Sequence, residues 1–124
     1  MRQPLVKHVA FFVYPVTDIQ RARQFYEGIL GLKLEHEYNG HWLEYNIQDV
    51  TLAITDWLED AKPSHSSAAL ALEVAHADSL FHFLKDNHVT IIKELFETPI
   101  CYMGLIADPD GNGIIIHQSK SPSL

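Results

Sequence analysis

The segment Asp108-Pro109-Asp110-Gly111-Asn112 does most to limit the folds open to this chain, because it stands between two apolar runs and closes a sequence whose elements occur twice. Pro109 presets φ at the second position of a turn and Gly111 accepts positive φ. Leu105-Ile106-Ala107 and Ile114-Ile115-Ile116 are therefore expected to pair as a hairpin. Such a hairpin is a late step in a β-α-β-β-β order that the first half of the chain already shows.

In that first half, Val6 to Val13 reads as a strand that Pro15 ends. Asp18 is expected to cap the helix that follows, since its carboxylate accepts from first-turn amides and complements the helix dipole. Ala22, Phe25, Tyr26, Ile29 and Leu30 recur at helical spacing, and Gly31 stops the helix. Leu32 to His36 and His41 to Ile47 read as strands around the turn Tyr38-Asn39-Gly40, and Val50 to Thr55 is a third. Polar Asp60 to Ser67, with Pro63, reads as a linker. The second half repeats the order: a strand over Ala69 to Val74, then a helix capped by Asp78 whose Leu80, Phe81, Phe83 and Leu84 face the core and which ends at Asn87 or His88. Three strands follow, beginning at Val89-Thr90-Ile91-Ile92, Cys101 to Ala107 and Gly113 to Gln118. The fold class is α+β, one domain over residues 1–124 made of two tandem βαβββ modules, at about 5–57 and about 68–118, with a linker at about 58–67. In this alignment of halves His8 corresponds to Ala69 and Ala53 to Ile115.

A chain of 124 residues, 47% hydrophobic, can bury its own core but has no room for a second full domain. Its net charge of −7 comes from scattered carboxylates, and no Lys/Arg cluster is present to neutralise successive phosphates, which argues against nucleic acid as a partner. No apolar run approaches the ~20 residues that span a bilayer, and no secretory leader is evident, so no membrane partner and a cytoplasmic location are expected. The single cysteine, Cys101, has no partner for an internal disulfide and reads as a small strand residue.

Val6-Lys7-His8-Val9-Ala10-Phe11-Phe12-Val13, the helix Asp18-Ile19-Gln20-Arg21-Ala22-Arg23-Gln24-Phe25-Tyr26, Leu30-Gly31-Leu32 and the Asp-Pro-Asp-Gly-Asn turn together resemble the vicinal oxygen chelate superfamily. That superfamily holds glyoxalase I, extradiol dioxygenases, fosfomycin-modifying enzymes and bleomycin-resistance proteins. The resemblance spans Val6 to about Gln118 and implies paired curved mixed sheets around a cavity, helices outside, and a homodimer. In metal-dependent members His, Glu or Gln ligands come from four strand positions, which here read His8, Ala53, Ala69 and Ile115. A divalent transition metal needs three or more N, O or S donors, and hydrocarbon side chains supply none. The usual metal site is expected to be lost, with no cofactor in its place.

Strand parity then names a cavity lining, since residues two apart share a face. His8, Ala10, Phe12 and Tyr14 are expected to point inward, with Val9, Phe11 and Val13 under the helices. Thr51, Ala53 and Thr55, then Ala69, Ala71 and Glu73, Cys101, Met103 and Leu105, and Ile115 and His117 are also expected inward. On the third strand Trp42 and Glu44 share one face, suited to stacking on a planar ligand and pairing with a cation. The expected ligand-binding set is His8, Phe12, Trp42, Glu44, Met103 and His117. The function expected is sequestration of a small, partly planar organic molecule, as in bleomycin-resistance proteins. The alternative is a metal-dependent lyase, isomerase or dioxygenase that binds a divalent transition metal through a displaced His8, Glu73, His117 set. Against that set, Glu73 lies roughly 13 Å along its strand from the implied ligand position and His117 roughly 7 Å. A third possibility is an interaction module with a collapsed cavity. No nucleophile elbow or phosphate-binding glycine loop is present.

Overall fold

The computed structural model describes residues 8–58, 60–64 and 70–121. Strands β1 (Phe12–Pro15), β2 (Leu34–Tyr38), β3 (Trp42–Ile47) and β4 (Val50–Thr55) form one sheet in the order β1-β4-β3-β2. β5 (Leu70–Glu73), β6 (Thr90–Glu97), β7 (Cys101–Ala107) and β8 (Gly113–Ser119) form a second, in the matching order β5-β8-β7-β6. Each sheet is mixed: its first strand runs parallel to its last, and the other pairs are antiparallel. The hairpin expected from the Asp-Pro-Asp-Gly-Asn turn is present with Leu105 opposite Ile115 and Ile106 opposite Ile114.

The first helix begins as α1 (Ile19–Arg23), capped by Asp18, whose side chain accepts from the Arg21 amide at 3.0 Å. It continues without a break as a π-helix over Gln24–Ile29 and ends before Gly31, at φ 72°. The second helix, α2, covers Ala77–Asp86, and its cap differs from the expected one. His76 is the N-cap and Asp78 lies inside the first turn; the Ala77 amide instead donates to the Gln118 side chain on β8 at 2.7 Å. Within α2, Phe81 and Leu84 are buried and Leu80 packs against them, but Phe83 faces solvent.

Strand β1 is shorter than expected and starts four residues after His8, while Val6 and Lys7 lie outside the described residues. Its register also corrects the expected faces. Phe12 pairs with Leu52 and Tyr14 with Ile54, both fully buried on the helix-covered side, and Tyr14 packs against the core cluster. Phe11 and Val13 therefore share the other face with Ala53. In module two Leu70 pairs with Ile114, and Ala71 and Glu73 lie on the face of Ile115 and His117, as expected. With Ala53 and Ile115 equivalent, Leu70 occupies the place of Phe12. Anchoring the first strand on His8 is off by an odd number of residues, which turns every side chain to the opposite face. Ala69 itself lies outside the described residues.

One core runs under both helices, with Ala22, Phe25, Tyr26, Leu43, Leu52 and Ile54 from module one and Phe81, Leu84, Ile106, Ile114 and Ile116 from module two. The Asp-Pro-Asp-Gly-Asn turn ties the modules together. Asp108 Oδ2 accepts from the Tyr26 hydroxyl at 2.8 Å, and Asn112 Nδ2 donates to Pro15 O at 2.7 Å. Asp110 Oδ1 accepts from the Thr17 amide and from Arg21 Nη2. Tyr14, from the other side, donates to Gly113 O at 2.7 Å and accepts from the Leu70 amide at 2.6 Å.

Candidate functional site

The helices cover one face of each sheet and leave the other open. On the open face of module one, β3 presents Trp42 and Glu44 opposite Thr55 and Ala53 of β4. The indole Nε1–H of Trp42 donates to Glu44 Oε2 at 2.9 Å, fixing ring and carboxylate together. Phe11 meets the Trp42 ring edge to face, 5.6 Å between centroids and 87° between planes, a geometry in which the positive edge of one ring meets the negative face of the other. The result is an aromatic corner with a carboxylate beside it. Next to it, Glu35, His36, Glu44, Asn46 and Thr51 line a recess of about 310 Å³.

Behind this face the sheet is held by a polar knot. Glu27, from the π-helix, accepts from Tyr45 at 2.8 Å and from Arg23 Nε at 2.8 Å. Burial acts to raise the Glu27 pKa, but the bonds from Arg23 and Tyr45 outweigh it and hold the carboxyl below its ordinary value. The Tyr45 phenol is pushed well up, first by burial and then by its bond to Glu27.

On the open face of module two, His117 of β8 sits between Glu73 on β5 and Met103 on β7. His117 Nδ1 lies 2.6 Å from Glu73 Oε1, and the other carboxylate oxygen accepts from the Ser119 amide at 2.7 Å. The bond from Ser119, then that from His117, lowers the Glu73 pKa.

Of the six residues expected to bind ligand, Trp42 and Glu44 are in contact on one open face, and Met103 and His117 are cross-strand neighbours on the other. Among the described residues no hydrogen bond, ion pair or ring contact joins the two pairs. Phe12 lies on the helix side of its strand, 45% exposed, and Phe11 stands where Phe12 was expected. His8 is exposed ahead of β1, and among the described residues its ring hydrogen-bonds with the carbonyl of Val9, at 3.2 Å. The displaced set is thus brought together in part: Glu73 and His117 touch, and His8 is not with them. Among the described residues no group of three or more His, Cys, Asp or Glu side chains lies close enough to hold a metal ion. The hydrocarbon side chains of Ala53 and Ile115 do not fit the metal that the resemblance implies. Phe11 is the site residue that sequence parity misses; Glu73 and His117, both expected on the inward face, are cross-strand partners as that parity implies.

The Glyoxalase/Bleomycin resistance protein/Dioxygenase superfamily model matches residues 6–116. No curated protein sequence matches the chain. Among solved structures, TnmS3, an antibiotic binding protein from Streptomyces sp. CB03234, is 28% identical with a TM-score of 0.77, covering 95% of this chain and 100% of its own. A glyoxalase/bleomycin resistance protein from the same Streptomyces is also 28% identical, with a TM-score of 0.73, covering 87% of this chain and 97% of its own. Lactoylglutathione lyase from Agrobacterium tumefaciens shares the fold at 17% identity and a TM-score of 0.72, covering 94% of this chain and 95% of its own.

Proposed function

Because the chain belongs to the glyoxalase/bleomycin resistance protein/dioxygenase superfamily, we propose that it binds and sequesters a small, partly planar organic cation without using a metal. The observation that carries this reading is the Phe11, Trp42 and Glu44 corner, where a half-buried indole and the carboxylate hydrogen-bonded to it meet the exposed ring of Phe11. A flat cation gains there twice, from the ring quadrupole and from the nearby negative charge. The neighbouring recess adds Glu35 to Glu44. Hydrocarbon side chains at Ala53 and Ile115 support a metal-free mode, and the likeness to an antibiotic binding protein supports sequestration over turnover. The ligand-binding set is Phe11, Trp42 and Glu44 from module one with Met103 and His117 from module two.

A homodimer completes the site. Val9 at 69% exposure, Phe11 at 42% and Ile100 at 68% are uncovered in the single chain and would be buried by a second copy packed over them. Packing a second copy against the open faces covers them and walls the ligand. The free Cys101 is compatible with a reducing cytoplasm.

Calorimetric titration with a planar cationic dye such as proflavine tests the reading. Saturable binding is expected, weakened about tenfold or more in Trp42→Ala and in Glu44→Gln. Binding that both variants leave unchanged, or no binding at all, contradicts it.

A further inference from the structure

We infer that Glu73 holds His117 as a fixed proton acceptor on the open face of module two, so that the ligand taken there carries an acidic hydroxyl, of phenol or enol type, on a planar system. The inference rests on the reading of that open face as part of the ligand site.

An ionised carboxylate only accepts hydrogen bonds, so the 2.6 Å contact to Glu73 Oε1 requires the proton of His117 to sit on Nδ1. In the neutral ring Nε2 is then left with its lone pair. The carboxylate is itself constrained, since the Ser119 amide holds its second oxygen at 2.7 Å. Both donors to Glu73 come from β8, so strand register sets the dyad. The cross-strand neighbour of His117 on the other side is Met103, which offers no competing donor. The imidazole is three-quarters covered, so its orientation is set before a ligand arrives.

With Nδ1–H held by Glu73, the ring turns Nε2 outward as a fixed acceptor. A ligand hydroxyl facing Nε2 donates a hydrogen bond, and an acidic one goes further. Its O–H bond breaks, the proton adds to Nε2, and the ligand oxyanion remains against an imidazolium held between two negative oxygens. Glu73 stays charged throughout, and no other group is consumed. Glu73 is a positioning residue in this scheme, and His117 is the group that touches ligand.

The test compares 4-nitrophenol with 4-nitroanisole, which has the same plane but a methyl ether in place of the hydroxyl, below the pH at which the free phenol ionises. The phenol is expected to bind the intact chain about tenfold or more tightly than the ether, and its bound absorption to move to that of the phenolate. In Glu73→Gln and His117→Gln both the preference for the phenol and the spectral shift are expected to vanish. A purely structural role for the pair would weaken both compounds alike and leave the shift in place, which would overturn the inference. Equal binding of the two by the intact chain, or binding of proflavine but of neither nitro compound, would overturn it while leaving the Trp42 and Glu44 reading intact. Failure to bind any of the three would sink both.

Discussion

The Asp108 carboxylate accepts four hydrogen bonds. It is 3% exposed; Oδ1 accepts from the amides of Asp110 and Asn112, both at 2.9 Å, and Oδ2 from the Tyr26 hydroxyl and from Asn112 Nδ2. Four donors converge on one carboxylate, two from its own turn, one from the Asn112 side chain and one from the helix of the other module. Burial, and then the charge of Asp108, pushes the Tyr26 phenol well above its ordinary pKa, so that it stays a donor. Replacing Asp108 by Asn swaps one acceptor oxygen for an NH₂ that faces donors, and the stability lost is expected to be about 3 kcal/mol. Urea unfolding measures it. A loss within about 0.5 kcal/mol, the usual range of a surface substitution, would contradict the assignment of Asp108 as the clamp between modules. The turn itself was legible in the sequence from Pro109 and Gly111. The clamp was not, because turn chemistry says where the chain reverses and nothing of what the turn residues reach across to.

At the scale of elements, the strand β7 owes its position to a missing side chain. A Cβ at Gly104 would stand 2.5 Å from Cζ of Phe81 on α2 and 3.0 Å from the carbonyl of Lys93 on β6. Backbone and helix meet too closely there for any residue but glycine. Gly104→Ala is expected to cost about 1–3 kcal/mol by overpacking and to lower the thermal midpoint. An unchanged midpoint would mean that α2 is free to shift outward. The element order, the limits of β4 and β7, the Asp18 cap and the pairing of β7 with β8 were all readable from periodicity and turn residues. What failed was local and had local causes. His76 replaced Asp78 as the cap because Gln118, distant in sequence, reaches the first amide of α2. The π-helical stretch leaves no mark in the apolar spacing, since Phe25 and Tyr26 are buried under either pitch. The face of β1 failed because an unbroken apolar run carries no parity of its own, so one misplaced anchor reversed it.

For the molecule as a whole, two modules share one core through their helix sides and direct their open faces away from it. That division separates stability from recognition. The Asp108 clamp and the Tyr14 bonds hold the modules, while Trp42 with Glu44 and Glu73 with His117 stand on the open faces, where the proposed ligand would bind. Nothing in the side chains at Ala53 and Ile115 calls for a metal, and the binding proposed needs none. The decisive measurement is therefore calorimetric titration of proflavine into chelator-treated protein, repeated after adding manganese, iron, nickel or zinc, with bound metal counted by elemental analysis. The account predicts one affinity in every case and metal well below one atom per chain. Binding that disappears on chelation and returns with one equivalent of a single metal would contradict it.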